Sequence, residues 1–438
     1  MSATIRTLLI FTAIAAVPAF AEVKVFKNFT LIDGTGRAPV AASAMIVDNG
    51  RITWVGPVAQ LQPPAGAQTI DLTGRFLMPG IINTHTHIGN TIDLDQDKKN
   101  FTRENIEKNL KTFAAYGVTT AISMGTDQDL MFKIRDEQRA TGRPAETRVY
   151  SVGQGFVFKN GYGGLAGVNP QYATVAEIAP AVAAQAAKHV DFIKFWMDDE
   201  LGKNPKMPYA MSKAIIDEAH KHNLRAVAHI FYLADAKELV NEGVNGFMHS
   251  VRDQPIDQAL IDGMKQRGVW QVAATLEREA SMYVYGTRAP FLDDPFFIHA
   301  VSPAVLKALG SPGHEKTIAS DPNFKKYPAF FETAKANLKK LADAGVHYGM
   351  GTDTGPPGRF PGFGEHWEMQ LMVEAGLTPM QVIVASTRSG AEFLGAKDLG
   401  TVEKGKWADL LVLTANPVDD IRNTRKIDSV YIAGNKVR

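Results

Sequence analysis

The 438-residue chain sets Lys+Arg 47 against Asp+Glu 46, a net charge of +1, and no basic run stands out. It is long enough to bury a large core in one or two domains, and the even charge balance argues against nucleic acid and anionic membrane surfaces as partners. Cysteine is absent, which excludes disulfides, thiolate metal ligands and lipidated cysteine.

In chain order, Arg6 precedes an apolar run from Leu8 to Val17 and then Pro18-Ala19-Phe20-Ala21. A positive start, a short apolar core and an Ala-x-Ala end describe a secretory signal peptide, and the run is short for a membrane span. Residues 1–21 are expected to be removed after Ala21, leaving a periplasmic or secreted protein. Residues 22–78 read as a small β unit, because the alternating stretches 44–48 and 51–55 flank Asn49-Gly50, a pair preferred in two-residue hairpin turns. Residues 396–438 look similar, with stretches 408–413 and 429–433 and a turn expected at Gly434-Asn435. Two β-rich ends around a different middle predict one discontinuous β-sandwich.

The middle, residues 79–395, alternates apolar strands with amphipathic helices. Candidate strands are 80–86, 117–123, 147–153, 190–196, 224–230, 244–249, 268–275 and 346–352. Eight strands alternating with helices predict an α/β fold of the (β/α)8 TIM-barrel type, with an open doubly wound sheet as the alternative. The stretch Gly161-Tyr162-Gly163-Gly164 lacks the Lys-Ser/Thr of a phosphate loop and reads as a flexible loop after the third strand. Residues 277–331 form a long connection rich in aromatics, which reads as a lid or a subunit contact.

The first barrel strand ends His85-Thr86-His87, and on a strand positions i and i+2 share a face, so both imidazoles can aim at one metal ion. His220-Lys221-His222 has the same spacing but closes a helical stretch, where residues two apart point away from each other. Lys194, His229, His249 and Asp353 each fall at the carboxyl end of a later candidate strand, the rim where barrels of this type keep their active sites. Singly, each has an ordinary explanation as a hydrogen-bonded core residue or a turn former. Their shared placement points to a metal centre.

With His85-Thr86-His87, Lys194, His229, His249 and Thr352-Asp353-Thr354-Gly355 in view, the chain resembles the amidohydrolase superfamily over essentially all of residues 22–438. The resemblance implies a binuclear centre bridged by a lysine carboxylated with CO2. His85, His87 and Asp353 would hold one metal, His229 and His249 the other, and Lys194 would bridge both. A free lysine amine, with a pKa of about 10.4, is protonated and binds no cation, whereas its carboxylated form offers anionic oxygens. Neutral imidazoles suit zinc or a similar divalent ion. The reaction implied is hydrolysis of an amide by a metal-bridging hydroxide, with Asp353 as general base and then general acid.

Tyr232 stands where mononuclear deaminases of this superfamily carry a glutamate, and those enzymes lack the fourth-strand lysine, so deamination is not expected. His249-Ser250-Val251-Arg252-Asp253 and the stretch 364–369 look most like the imidazolonepropionase-like group, which includes bacterial Xaa-Pro dipeptidases. Xaa-Pro dipeptides and N-acyl amino acids are the candidate substrates, with a cyclic amide or lactone as the alternative and a non-catalytic binding protein as the remaining reading. Arg252 is the candidate for a substrate carboxylate, Tyr232 for the developing oxyanion, and Tyr162 for the pocket. The third-strand loop carries no histidine, a departure from many dipeptidases of this branch. The resemblance also implies a homo-oligomer.

Overall fold

Asn49 and Gly50 adopt φ of 49° and 80°, the two left-handed conformations that a tight hairpin turn between twisted strands requires. They join Val40–Asp48 to Arg51–Pro57 in an antiparallel ladder that pairs Asp48 with Arg51. The computed structural model describes residues 23–438, so the signal peptide expected over 1–21 lies outside the described residues. No helix among the described residues is long and apolar enough to cross a membrane.

The hairpin belongs to one continuous eight-stranded sheet drawn from both ends of the chain. Lys24–Leu31 sits at its centre and is bent by a bulge at Asn28, whose φ is 64°. The bend lets residues 24–27 pair with Gln68–Asp71 while Thr30 and Leu31 pair with Phe76 and Leu77, so one strand serves two neighbours on the same side. Leu410–Leu413 then pairs antiparallel with both Phe76–Pro79 and Ile427–Ile432. Phe26, Phe29, Met45, Leu77, Leu410 and Tyr431 pack into a separate small core beneath it. The last turn differs by one residue from expectation: Ala433 and Gly434 take positive φ, and Asn435 pairs with Ile432. A two-residue turn needs its left-handed pair at the centre, which places Asn435 on the returning strand.

Phe76–Pro79 runs through Gly80 into the metal-type strand Ile81–Thr86, and the Gly80 N–H donates to the Asp409 carbonyl at 2.9 Å. Ile81–Thr86, Val118–Ser123 and Arg148–Ser151 form one parallel sheet, and Ile193–Met197, Ala226–Ile230, Gly246–Phe247 and Trp270–Gln271 form another. Ile81–Thr86, Val118–Ser123, Ile193–Met197 and Ala226–Ile230 are buried along their whole length, as expected of parallel strands covered by helices. Single parallel bridges continue the pairing, Phe156 with Phe195, Gln271 with Tyr348 and Thr86 with Thr354. The stretch 346–352 therefore contributes isolated bridges rather than a regular strand. Ile122 and Val227 from these strands and Val152, Phe192, Met248 and Val272 from the residues adjoining them pack against one another.

The connection 277–331 is largely helical. It holds helices Leu276–Val284, Pro295–Ile298, Pro303–Leu309 and Pro312–Ala319, the last three each opened by a proline after an Asp or Ser cap. Its aromatics Tyr285, Phe291 and Phe297 are buried in the largest core cluster.

Candidate metal centre

Because successive strand residues alternate in direction, His85 and His87 turn the same way from the end of Ile81–Thr86. They meet Asp353, which follows the bridged stretch and itself adopts φ 73°. The Asp353 Oδ1 lies 3.3 Å from His85 Nε2 and 2.9 Å from His87 Nε2, and one ligand atom from each of the three lies within 4.8 Å of the others. The turn after Asp353 is held by Gly355, at φ 125°, where a Cβ would stand 1.8 Å from the His87 carbonyl oxygen. No side chain fits there.

His249 and His229 lie beside this group. The His85 and His249 ring centroids are 4.9 Å apart, and those of His249 and His229 are 4.1 Å apart. All four imidazoles and Asp353 line one cavity of about 210 Å³, with Tyr162, Trp196 and Arg359 among its other walls. Lys194, on Ile193–Met197, is 1% exposed, and its amine has no hydrogen-bond partner. Burial lowers its pKa to about 7. Its charge opposes protonation of His85, His229 and His249. Burial drives His85 and His249 well below the ordinary histidine value and His229 down to about 4, so these rings are neutral at pH 7, the form that binds a metal.

Each imidazole also has one nitrogen taken. His85 Nδ1–H donates to the Met248 carbonyl at 3.1 Å, and His87 Nδ1 lies 3.1 Å from Thr126 Oγ1. His249 Nδ1 lies 2.7 Å from Thr275 Oγ1, and His229 Nε2–H donates to Asp198 Oδ2 at 2.8 Å. The second nitrogens are Nε2 of His85 and His87, which face Asp353 Oδ1, Nε2 of His249 and Nδ1 of His229. Outer partners of this kind fix the tautomer and ring orientation of metal-ligating histidines.

Asp198, Thr126, Thr275, Trp196 and Arg359 were not singled out from the sequence. Asp198 follows Met197 at the end of its strand, the same strand-end placement that marked the other residues. Replacing it with Asn should lower metal affinity or activity by about 10–100-fold, read by metal titration of the variant, while the fold, judged by thermal unfolding, stays intact.

The three candidate substrate residues fall differently. Tyr162 does line the cavity, its ring 5.1 Å from that of His229. The backbone beside it approaches closely because Gly163 has no Cβ; one there would stand 2.3 Å from the Trp196 ring. Tyr232 is absent from the cavity wall, and its hydroxyl donates to Asp199 Oδ1 at 2.7 Å. Arg252 is 1% exposed and is spent on Glu279, at 3.0 Å, and on the carbonyls of Ile230 and Ser250. The arginine that faces the cavity is Arg359. His366 lies away from it, bonded to the Tyr116 carbonyl and Thr424.

The Amidohydrolase family model matches residues 76–437. The chain belongs to the amidohydrolase family. This amidohydrolase is a hydrolase enzyme, which removes the non-catalytic reading. It is 23% identical over 401 residues to imidazolonepropionase of Streptomyces griseus, covering 88% of this chain and 89% of that protein. It is 23% identical over 440 residues to ochratoxinase of Aspergillus niger, covering 92% and 83%. Among solved structures, a Xaa-Pro dipeptidase with methionine bound in its active site superposes with a TM-score of 0.73 at 20% identity, covering 95% of this amidohydrolase and 99% of that chain. Such likeness shows the fold, a TIM-type barrel with an additional domain.

Proposed function

We propose that this amidohydrolase cleaves amide bonds of small molecules at a centre of two divalent ions, held by His85, His87, His229, His249 and Asp353 and bridged by Lys194 carboxylated with CO2. The observation that carries the reading is four imidazoles, each oriented by a hydrogen bond at one nitrogen, that share a cavity with the Asp353 carboxylate, together with an orphaned buried amine whose charge acts on three of them. An amine held at about pKa 7 is neutral in part at physiological pH, as reaction with CO2 requires. Imidazole nitrogens and carboxylate oxygens are the donors that zinc or a similar borderline ion takes. When bound, such ions supply Lewis acidity toward a carbonyl and lower the pKa of water to about 7.

The chain's own residues do the rest. Asp353 presents Oδ1 to His85 and His87, so Oδ2 is the oxygen that accepts a proton from the attacking water and returns it to the leaving nitrogen. The Trp196 and Tyr162 rings narrow the cavity and limit bulk water. The barrel is inferred to close through eight strands, the bridges of 346–354 to Gln271 and Thr86 supplying the last join. Export through residues 1–21 remains part of the proposal.

The test is metal analysis together with a screen of Xaa-Pro dipeptides and N-acyl amino acids. We expect about two divalent ions per chain, loss of hydrolysis on chelation, and recovery when zinc and bicarbonate are both returned. A fully metal-loaded protein that hydrolyses no amide in the panel sinks the reading.

A further inference from the structure

The two oxygens of Asp353 face different surroundings. Oδ1 meets His85 and His87, whereas Oδ2 is ion-paired with the Arg359 guanidinium and lies 3.8 Å from Arg278 Nε. Arg278 is itself spent on Glu279 at 2.8 Å. Arg359 has no second carboxylate among the described ion pairs, and its side chain is 18% exposed. The backbone beneath it is fixed, because the Arg359 N–H donates to the Pro356 carbonyl at 3.1 Å and the Arg359 carbonyl accepts from Gly355 N–H at 3.0 Å. Only the side chain is free to move.

Arg359 and Pro356 also line a second cavity of about 320 Å³. Its walls include Ile92, Asn109, Ala300, Val301, Val305 and Phe360, with Asp93 as its one carboxylate against the cations Lys108 and Arg359. Arg359 therefore borders both chambers, and its guanidinium ties up the oxygen that must carry the proton. That proton is delivered to the leaving nitrogen, so the leaving fragment has to lie on the Oδ2 side, toward Arg359 and the second chamber.

We propose that Arg359 is a substrate-operated latch: a carboxylate on the leaving fragment draws its guanidinium away from Asp353, frees the proton-carrying oxygen and seats that fragment in the second chamber. This rests on the hydrolase reading above and narrows it to substrates that release an amino acid. A planar guanidinium can grip either carboxylate in the same forked geometry, so its own charge stays paired through the exchange, and Asp353 Oδ2 keeps the Arg278 guanidinium at 3.8 Å. Arg359 binds substrate and acts on the reaction through Asp353. It is a positioning residue.

The test uses the metal-loaded full chain with N-acetyl-L-phenylalanine and N-acetyl-L-phenylalaninamide, binding being read by calorimetry and turnover by release of the amine product. Wild type should bind the acid roughly 10–100-fold more tightly than the amide, the worth of one charged hydrogen-bonded pair. Arg359→Met should abolish that preference by weakening binding of the acid alone, raising its KM, while turnover of the amide probe should rise because Asp353 is released. Arg359→Lys should restore part of the preference, which a merely structural role would not do. Ala300→Trp, on the wall of the second chamber, should raise KM for N-acetyl-L-phenylalanine and spare N-acetylglycine. Equal binding of acid and amide by wild type, or a preference that survives Arg359→Met, overturns the latch; an Ala300→Trp variant that treats both acids alike overturns the chamber assignment. Arg359-dependent binding without turnover of either probe keeps the subsite and counts against the hydrolase reading instead.

Discussion

Asp353→Asn should lower kcat by about 10²–10⁴-fold, the range for losing a positioned acid–base group, while leaving much of the metal bound. The substituted side chain keeps a carbonyl oxygen for the His85–His87 side, but its second atom becomes an NH2. That group accepts no proton, and it turns two hydrogens toward the Arg359 guanidinium, which also only donates. In the native side chain, burial would raise the pKa; Arg359, then His85 and His87, outweigh burial and hold it well below the usual carboxylate range. The carboxylate is thus ionised throughout the working pH range, and it becomes able to accept a proton when Arg359 is drawn away. Single-turnover kinetics with metal content measured on the same sample would decide the matter. Turnover near wild type with the metals in place would remove Asp353 from proton transfer.

Lys194→Met should act in opposite directions on function and stability. Activity is expected to fall to background, because the thioether cannot take up CO2 and offers no anionic oxygen. The metal-free fold should meanwhile gain stability by about 1–3 kcal/mol, since an amine buried without a hydrogen-bond partner is replaced by an apolar chain of similar length. The pH dependence gives a second signature. Burial lowers the Lys194 pKa from 10.5 to about 7, so between those values the unfolded chain binds more protons than the folded one. Stability of the metal-free protein in CO2-free buffer should therefore rise with pH across that window, and this rise should be missing in Lys194→Met. Denaturant titrations at pH 7 and pH 10 measure both effects. A variant less stable than wild type at pH 7 would mean that the amine has a partner in the folded state.

The strand positions were legible because burial on both faces leaves unbroken apolar runs, and a polar residue ending such a run is conspicuous. That is how the stretches bearing His85, Lys194, His229 and His249 could be placed. The same rule applied to Asp198, but an acid after a strand also reads as a turn former, and nothing in the spacing says that it reaches back to His229. Arg252 shows the opposite difficulty. Its partner Glu279 lies 27 positions later on a different element, and no local pattern reveals which of several arginines will be free. Arg359 sits in Pro356-Pro357-Gly358-Arg359, a stretch that reads as an exposed turn, yet the left-handed Gly355 brings it against the centre. The helices inside the segment 277–331 had a local signal that the reading as a connection left unused. Asp294-Pro295, Ser302-Pro303 and Ser311-Pro312 each set a capping side chain before a proline, the ordinary opening of a helix, and the abundant aromatics drew attention from it.

The bent central strand and its neighbours carry a consequence for assembly. The strand with His85 and His87 continues directly from Phe76–Pro79, and that segment finds one of its two sheet neighbours only in residues 410–413. The segment that leads into the His85–His87 strand is thus braced by residues more than three hundred positions downstream, so a nascent or clipped polypeptide ending before Leu410 leaves Phe76–Pro79 with an unpaired edge, while Ile81–Thr86 itself keeps Val118–Ser123 as its neighbour. Pairings of such long sequence separation slow folding. Metal acquisition is then expected to follow synthesis of the distal strands rather than accompany the emergence of the first.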